Sequence, residues 1–211
     1  MLLQHLMNKE RLSTCWIGLA FGLCFVIIWT ISHELSGMQA NRYHLHFQWE
    51  SNIPFQWWAV PIYFSLDIAI PFFPLLFRNW KAAISPVATL LAQTMIAAPF
   101  FIFIPIQTSY QNNLDGGIWG EVLFNPLGIP NISTWNHAPS LHVAYVFTIA
   151  WILGKNARRS QMVLLNIWAL LVSLSTMLVH EHHLICVITG FLLFFATTST
   201  VYPYLKRKFE S

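Results

Sequence analysis

The sequence predicts an all-α, polytopic membrane protein: a bundle of six transmembrane helices forming a single domain over residues 1–211. Three observations predict it. Only 9% of the residues are charged and 56% are hydrophobic, whereas soluble domains are about 25% charged. Six apolar runs approach the length of about 20 residues that crosses a hydrocarbon core. The lysines and arginines collect in alternate connections, the pattern that orients membrane proteins.

The first run, 13–31, follows the charged start "MLLQHLMNKERLS". No small-residue cleavage site comes after it, so it reads as a retained span and not a signal peptide. The second run, 57–77, opens on Trp57 and Trp58, and the third covers 82–106. The fourth, 140–153, is short and is expected to begin at the membrane edge. The fifth and sixth cover 162–179 and 184–202. Lys9 and Arg11 precede the first run, Arg78 and Lys81 follow the second, and Lys155, Arg158 and Arg159 follow the fourth. Lys206, Arg207 and Lys208 follow the sixth. Ten of the eleven basic residues therefore share one side, with Arg42 alone on the other. Both termini are expected to be cytoplasmic.

The opposite face then carries three connections: 36–56, 107–139 and a tight turn at 180–183. Trp49, Trp57, Trp58, Trp119 and Trp135 suit a headgroup layer. The three cysteines, Cys15, Cys24 and Cys186, lie in apolar runs, which argues against a disulfide framework. No internal repeat or low-complexity linker divides the chain. The expected partner is the membrane, not nucleic acid.

Eight of the nine histidines belong to the non-cytoplasmic half: His33, His44, His46, His137, His142, His180, His182 and His183. Ionisable groups at membrane depth are commonly functional. In "NHAPSLHVAY", 136–145, a proline–serine turn enters a helix. Ser140 can cap that helix, whose free N–H groups make an anion site. His142, in its first turn, is placed for proton transfer. A capped helix start with an incidental histidine is the plainer reading of this stretch alone.

One cytoplasmic loop later comes "STMLVHEHHLICVITG", 175–190. Together with "PSLHVA", it resembles the type 2 phosphatidic acid phosphatase superfamily. More narrowly, it is similar to the branch that includes inositol phosphorylceramide synthases and sphingomyelin synthases. "ESNIPFQWWAVPIYFS", 50–65, resembles the segment of that branch that enters the second span. The resemblance implies catalytic segments at 107–145 and 175–190. It implies a lipid-phosphate phosphoesterase or headgroup phosphotransferase, needing neither metal nor cofactor. His182 would attack phosphorus and His142 would protonate the leaving oxygen. Ser140, Leu141, Ser175, Thr176, His180 and His137 would hold the substrate, and Gly190 matches the motif's glycine.

Two departures stand out. The family's orienting aspartate falls on Cys186, and no lysine or arginine occurs between 107 and 139 to clamp a phosphate. Glu181 is adjacent to His182, but helix neighbours point apart. Asp67, in the middle of the second span, is a candidate carboxylate that lies deep for His182. Other readings remain open. The fold is kept but serves as a lipid- or partner-binding subunit, or the histidines run other acid–base chemistry on a lipid. A metal site would use His180 and His183 with Glu181 or His142, though the order lacks the zinc-protease spacing. A proton-coupled transporter would use Asp67 and the histidines, without the repeats such folds show.

Overall fold

The computed structural model describes residues 9–110 and 136–209. Trp119, Trp135 and most of the 107–139 connection lie outside the described residues. The described chain forms six α-helices with short 3-10 turns and no strand. They are α1 Lys9–Gly37, α2 Val60–Phe72, α3 Trp80–Phe103, α4 Leu141–Gly154, α5 Arg159–Leu178 and α6 Leu184–Phe209. An all-α membrane bundle is the architecture the hydropathy predicts. With its flanking 3-10 turns α2 spans Trp57–Leu76, and it joins α1, α3, α5 and α6 as elements long and apolar enough to cross a membrane. The fourth has only 14 residues, about 21 Å of helix. The first is longer than its hydropathy core, since Ser32 and Ser36 continue it as buried residues.

Local sequence explains the ends. Asn79 caps α3, its side chain accepting the Ala82 N–H at 3.0 Å. Pro71 brings α2 to a close, and a 3-10 turn, Phe73–Leu76, follows, because proline lacks the helix donor. α5 ends in a Schellman arrangement. There the Glu181 N–H reaches the Thr176 carbonyl at 3.0 Å and the His180 N–H reaches that of Met177 at 3.1 Å. His180 occupies the left-handed position with φ 63°, where glycine is usual and another residue is strained.

α4 sits at the centre. It packs on α3, α5 and α6, while α1 lies against α3 and α2 against α5. Val143, Ala144, Val146, Ile149 and Ala150 bury its faces almost completely. Gln93 of α3, fully buried, ties three helices together: its amide donates to Thr148 Oγ1 at 2.7 Å and Thr197 Oγ1 at 2.8 Å. Such interhelical bonds contribute about 0.6–2 kcal/mol in a membrane. Thr94 and the Tyr145 hydroxyl make a further buried link between α3 and α4.

The start of α4 is held against α6. The Ser140 N–H donates to the Cys186 carbonyl at 3.1 Å. A Cβ at Gly190 would stand 2.5 Å from the Ser140 carbonyl oxygen and 3.0 Å from Val143 Cβ. Only glycine permits that approach without a shift. Gly190→Ala should therefore destabilise the protein by about 1–3 kcal/mol through overpacking, read as a lower melting temperature in detergent. An unchanged melt would mean that α4 and α6 do not meet there.

Candidate functional site

The site lies where five elements converge: α1, α2, α3, the start of α4, and the turn between α5 and α6. They enclose a cavity of about 300 Å³. Its walls are apolar and aromatic, including Phe25, Trp29, Tyr63, Phe101 and Tyr145. Among the described residues its histidines and carboxylates are His137, His142, His182, Asp67 and Glu181, and no lysine or arginine lines it.

Each polar group arrives by a local cause. Ser140 caps α4, accepting the Val143 N–H at 3.4 Å, which puts Leu141 and His142 in the first turn. Tyr63 of α2 stacks on the His142 ring at 4.3 Å. One helical turn along α2 stands Asp67, whose Oδ1 is 3.5 Å from His142 Nε2. Asp67 thus reaches the α4 histidine, a pairing that hydropathy alone does not reveal. Because α5 has ended at Leu178, residues 180–183 are not helical. Glu181 and His182 are therefore both able to face the cavity, contrary to the expectation from helix geometry that they point apart.

His182 stands between two histidines. Its ring centroid is 6.0 Å from that of His142 and 5.7 Å from that of His137. His137 is fixed by its Nδ1–H, which donates to the Glu181 carbonyl at 2.7 Å. The His182 ring has a backbone hydrogen bond with His137, while its Nδ1 is buried with no hydrogen-bond partner among the described residues. A main-chain group, not a side chain from position 186, thus orients this ring. Cys186 is completely buried and packs with Ile106 and Ala138.

Burial pushes the His182 imidazole well below the usual histidine range, and the nearby His137 and His142 add to this. The ring is neutral at physiological pH, with a bare Nδ1. Burial pushes the Glu181 carboxyl up to about 7, opposed by His142 and reinforced by Asp67. Glu181 is half-buried by surface because it faces the cavity, yet it is ringed by protein.

The remaining motif residues stand outside the cavity lining. Ser175 and Thr176 use their hydroxyls inside α5, donating to the carbonyls of Val172 at 2.7 Å and Ser173 at 2.8 Å. His180 donates from Nε2 to the Ile53 carbonyl at 2.9 Å. Tyr110 stacks on both His180, at 4.3 Å, and His183, at 4.4 Å. Its ring contacts both histidines that the metal reading would bring together. Among the described residues no group of three or more His, Cys, Asp or Glu is arranged to hold a metal.

A second polar centre escapes sequence reasoning. Glu50 is fully buried. It accepts the His183 Nδ1–H at 2.8 Å, the Leu184 N–H at 3.0 Å and the Phe47 N–H at 3.0 Å. Burial alone would raise this carboxyl; the two backbone donors and the His183 ring outweigh it and hold it below its usual range. His183 is nonetheless neutral. Burial lowers it, with His46 and His180 adding and Glu50 opposing, and its Nε2 accepts the Ser109 N–H at 3.1 Å. Only the glutamate that opens the 50–65 motif hinted at this centre.

Stability should follow pH with a definite sign. His180, His182 and His183 are all lowered from 6.5 in the folded protein. Unfolded histidines then bind more protons below that value. Their contribution is complete above about pH 6.5 and is lost as pH falls. Glu181, raised from 4.5 to about 7, acts oppositely between those values, so the histidines are read in Glu181→Gln, where that opposition is gone. The melting temperature of that variant should be lower at about pH 5.5 than at about pH 7.5; an equal or higher value at the acid pH would contradict the neutral histidines.

Compared with known proteins, the chain matches no family model, no curated protein and no solved structure.

Proposed function

We propose that this protein is an enzyme of the membrane surface that cleaves or transfers a lipid phosphoester through a phosphohistidine. The observation that carries the reading is the pairing of His182 and His142 across one cavity, 6.0 Å apart by ring centroids. Nδ1 of neutral His182 attacks phosphorus and the bond to the leaving oxygen breaks. His142 gives that oxygen a proton. Water or an alcohol then attacks phosphorus, His142 takes its proton, and the P–N bond breaks. Asp67, with Oδ1 3.5 Å from His142 Nε2, is placed to orient that ring. The apolar cavity wall suits a lipid, and the free N–H groups at the start of α4 suit phosphate oxygens. In the orientation set by the basic side chains, the site faces the periplasm, exterior or lumen.

A second reading rests on the charge of the cavity. Among the described residues two carboxyl groups and no lysine or arginine line it, whereas phosphoryl transfer relies on positive potential around the equatorial oxygens. On this reading the protein binds a lipid or a partner without turning it over.

Purified protein, assayed on a panel of lipid phosphates and phosphodiesters, separates the two. The enzyme reading expects turnover that His182→Ala brings to background and His142→Gln lowers by about 10²–10⁴-fold. Vanadate, a phosphate mimic, should inhibit it. Turnover fully kept by His182→Ala would remove the phosphohistidine. Binding of a lipid on the panel, without turnover or vanadate protection, would favour the second reading.

A further inference from the structure

A serine–histidine contact lies outside the cavity, at the second polar centre. Ser109 Oγ is 2.8 Å from His46 Nδ1. The Ser109 main chain is fixed independently, since its N–H donates to His183 Nε2 at 3.1 Å and Glu50 holds the opposite nitrogen of that ring at 2.8 Å. Ser109 and His46 are half-buried and so remain reachable. The next residue, Tyr110, has a buried hydroxyl with no hydrogen-bond partner among the described residues. A buried donor left unmatched calls for an explanation.

A hydroxyl within hydrogen-bond reach of an imidazole is the arrangement that activates serine as a nucleophile. The surroundings name the substrate class. Tyr43, Leu45, Phe47 and Trp49 alternate along the segment that carries His46, each between 43% and 52% exposed. That segment is pinned to the Ser109 stretch by Tyr43, whose N–H donates to the Pro105 carbonyl and whose carbonyl accepts the Gln107 N–H, both at 3.0 Å. This exposed apolar row, carried on the same segment as His46, suits contact with a lipid surface.

We infer that Ser109 and His46 form an acyl-transfer site acting on the carboxylic ester of a membrane lipid. Ser109 Oγ attacks the ester carbonyl and its proton passes to His46 Nδ1. The C–O bond to the alcohol breaks and that alcohol leaves with the proton. Water then attacks the acyl-serine, giving its proton to His46, and the acid departs as Ser109 regains its hydrogen. The site stands apart from the His182–His142 cavity and does not rest on phosphoryl transfer.

The test uses the full chain in detergent, a fluorescent fluorophosphonate probe and peptide mass spectrometry to locate the adduct. Labelling is expected at Ser109, lost in Ser109→Ala, slowed at least about tenfold in His46→Gln and kept in His182→Ala. Ser109→Ala retains the main-chain bond to His183, so its fold survives. No adduct on Ser109 of the parent chain would overturn the inference without any variant. Equal labelling of Ser109 in a folded His46→Gln or His46→Ala would overturn the role of His46. An adduct on His182 alone overturns the acyl site and leaves the phosphohistidine proposal standing; an adduct on Ser109 that His182→Ala retains supports the acyl site independently of that proposal.

Discussion

The candidate site depends on how closely α4 can approach α6. The missing side chain at Gly190 lets the Ser140 carbonyl sit where a Cβ would otherwise be. The Ser140 N–H then reaches the Cys186 carbonyl, and the start of α4 is tied to the start of α6. His142 lies in the first turn of α4 and His182 two residues before α6, so the two rings meet across the cavity. The Gln93 knot does the same lower down, holding α3, α4 and α6 by one amide. Packing fixes the relative height of the helices, and height decides which histidines face each other.

Much of this was legible in the sequence, for identifiable reasons. Long apolar runs fix spans because a bilayer admits little else. His142, His182 and His137 were legible because each lies within a few residues of a local motif. The partners of those residues were not. Asp67 reaches His142 from another helix, and Glu50 meets His183 across 133 positions; no local pattern encodes such separations. Ser175 and Thr176 looked like site residues, yet their hydroxyls return to the carbonyls of their own helix. Such back-bonding is common for hydroxyls in helices and is invisible to a motif. The role of His180 was hidden by its backbone, since nothing in the letters "VHEH" announces a left-handed turn.

The cavity has an unusual electrical character for a phosphate site. Among the described residues its only basic side chains are histidines, and burial keeps His182 neutral. Its carboxylates, Asp67 and Glu181, are of the same sign as a phosphate. A group carrying one negative charge meets less repulsion here than one carrying two. Protonation of Glu181 near neutrality removes part of that repulsion, so the field inside the cavity shifts across the pH range in which the protein would work. The main-chain bond between His137 and the His182 ring orients an imidazole but adds no formal charge, which is the difference between this arrangement and one built on an aspartate.

Glu50 links the beginning of the chain to its end. Its carboxylate sits at the N-terminus of α6, on the Leu184 N–H, where the helix dipole favours an anion. During synthesis the acid emerges long before the last span. Until α6 arrives, Glu50 lacks its His183 and Leu184 donors, and until then its burial would leave a charge uncompensated. The Tyr43 bonds to Pro105 and Gln107 do not need α6, whereas the Glu50 end of the 38–56 loop gains its His183 and Leu184 donors only with that helix. The long sequence separation also makes the Glu50–His183 pair a slow contact to close.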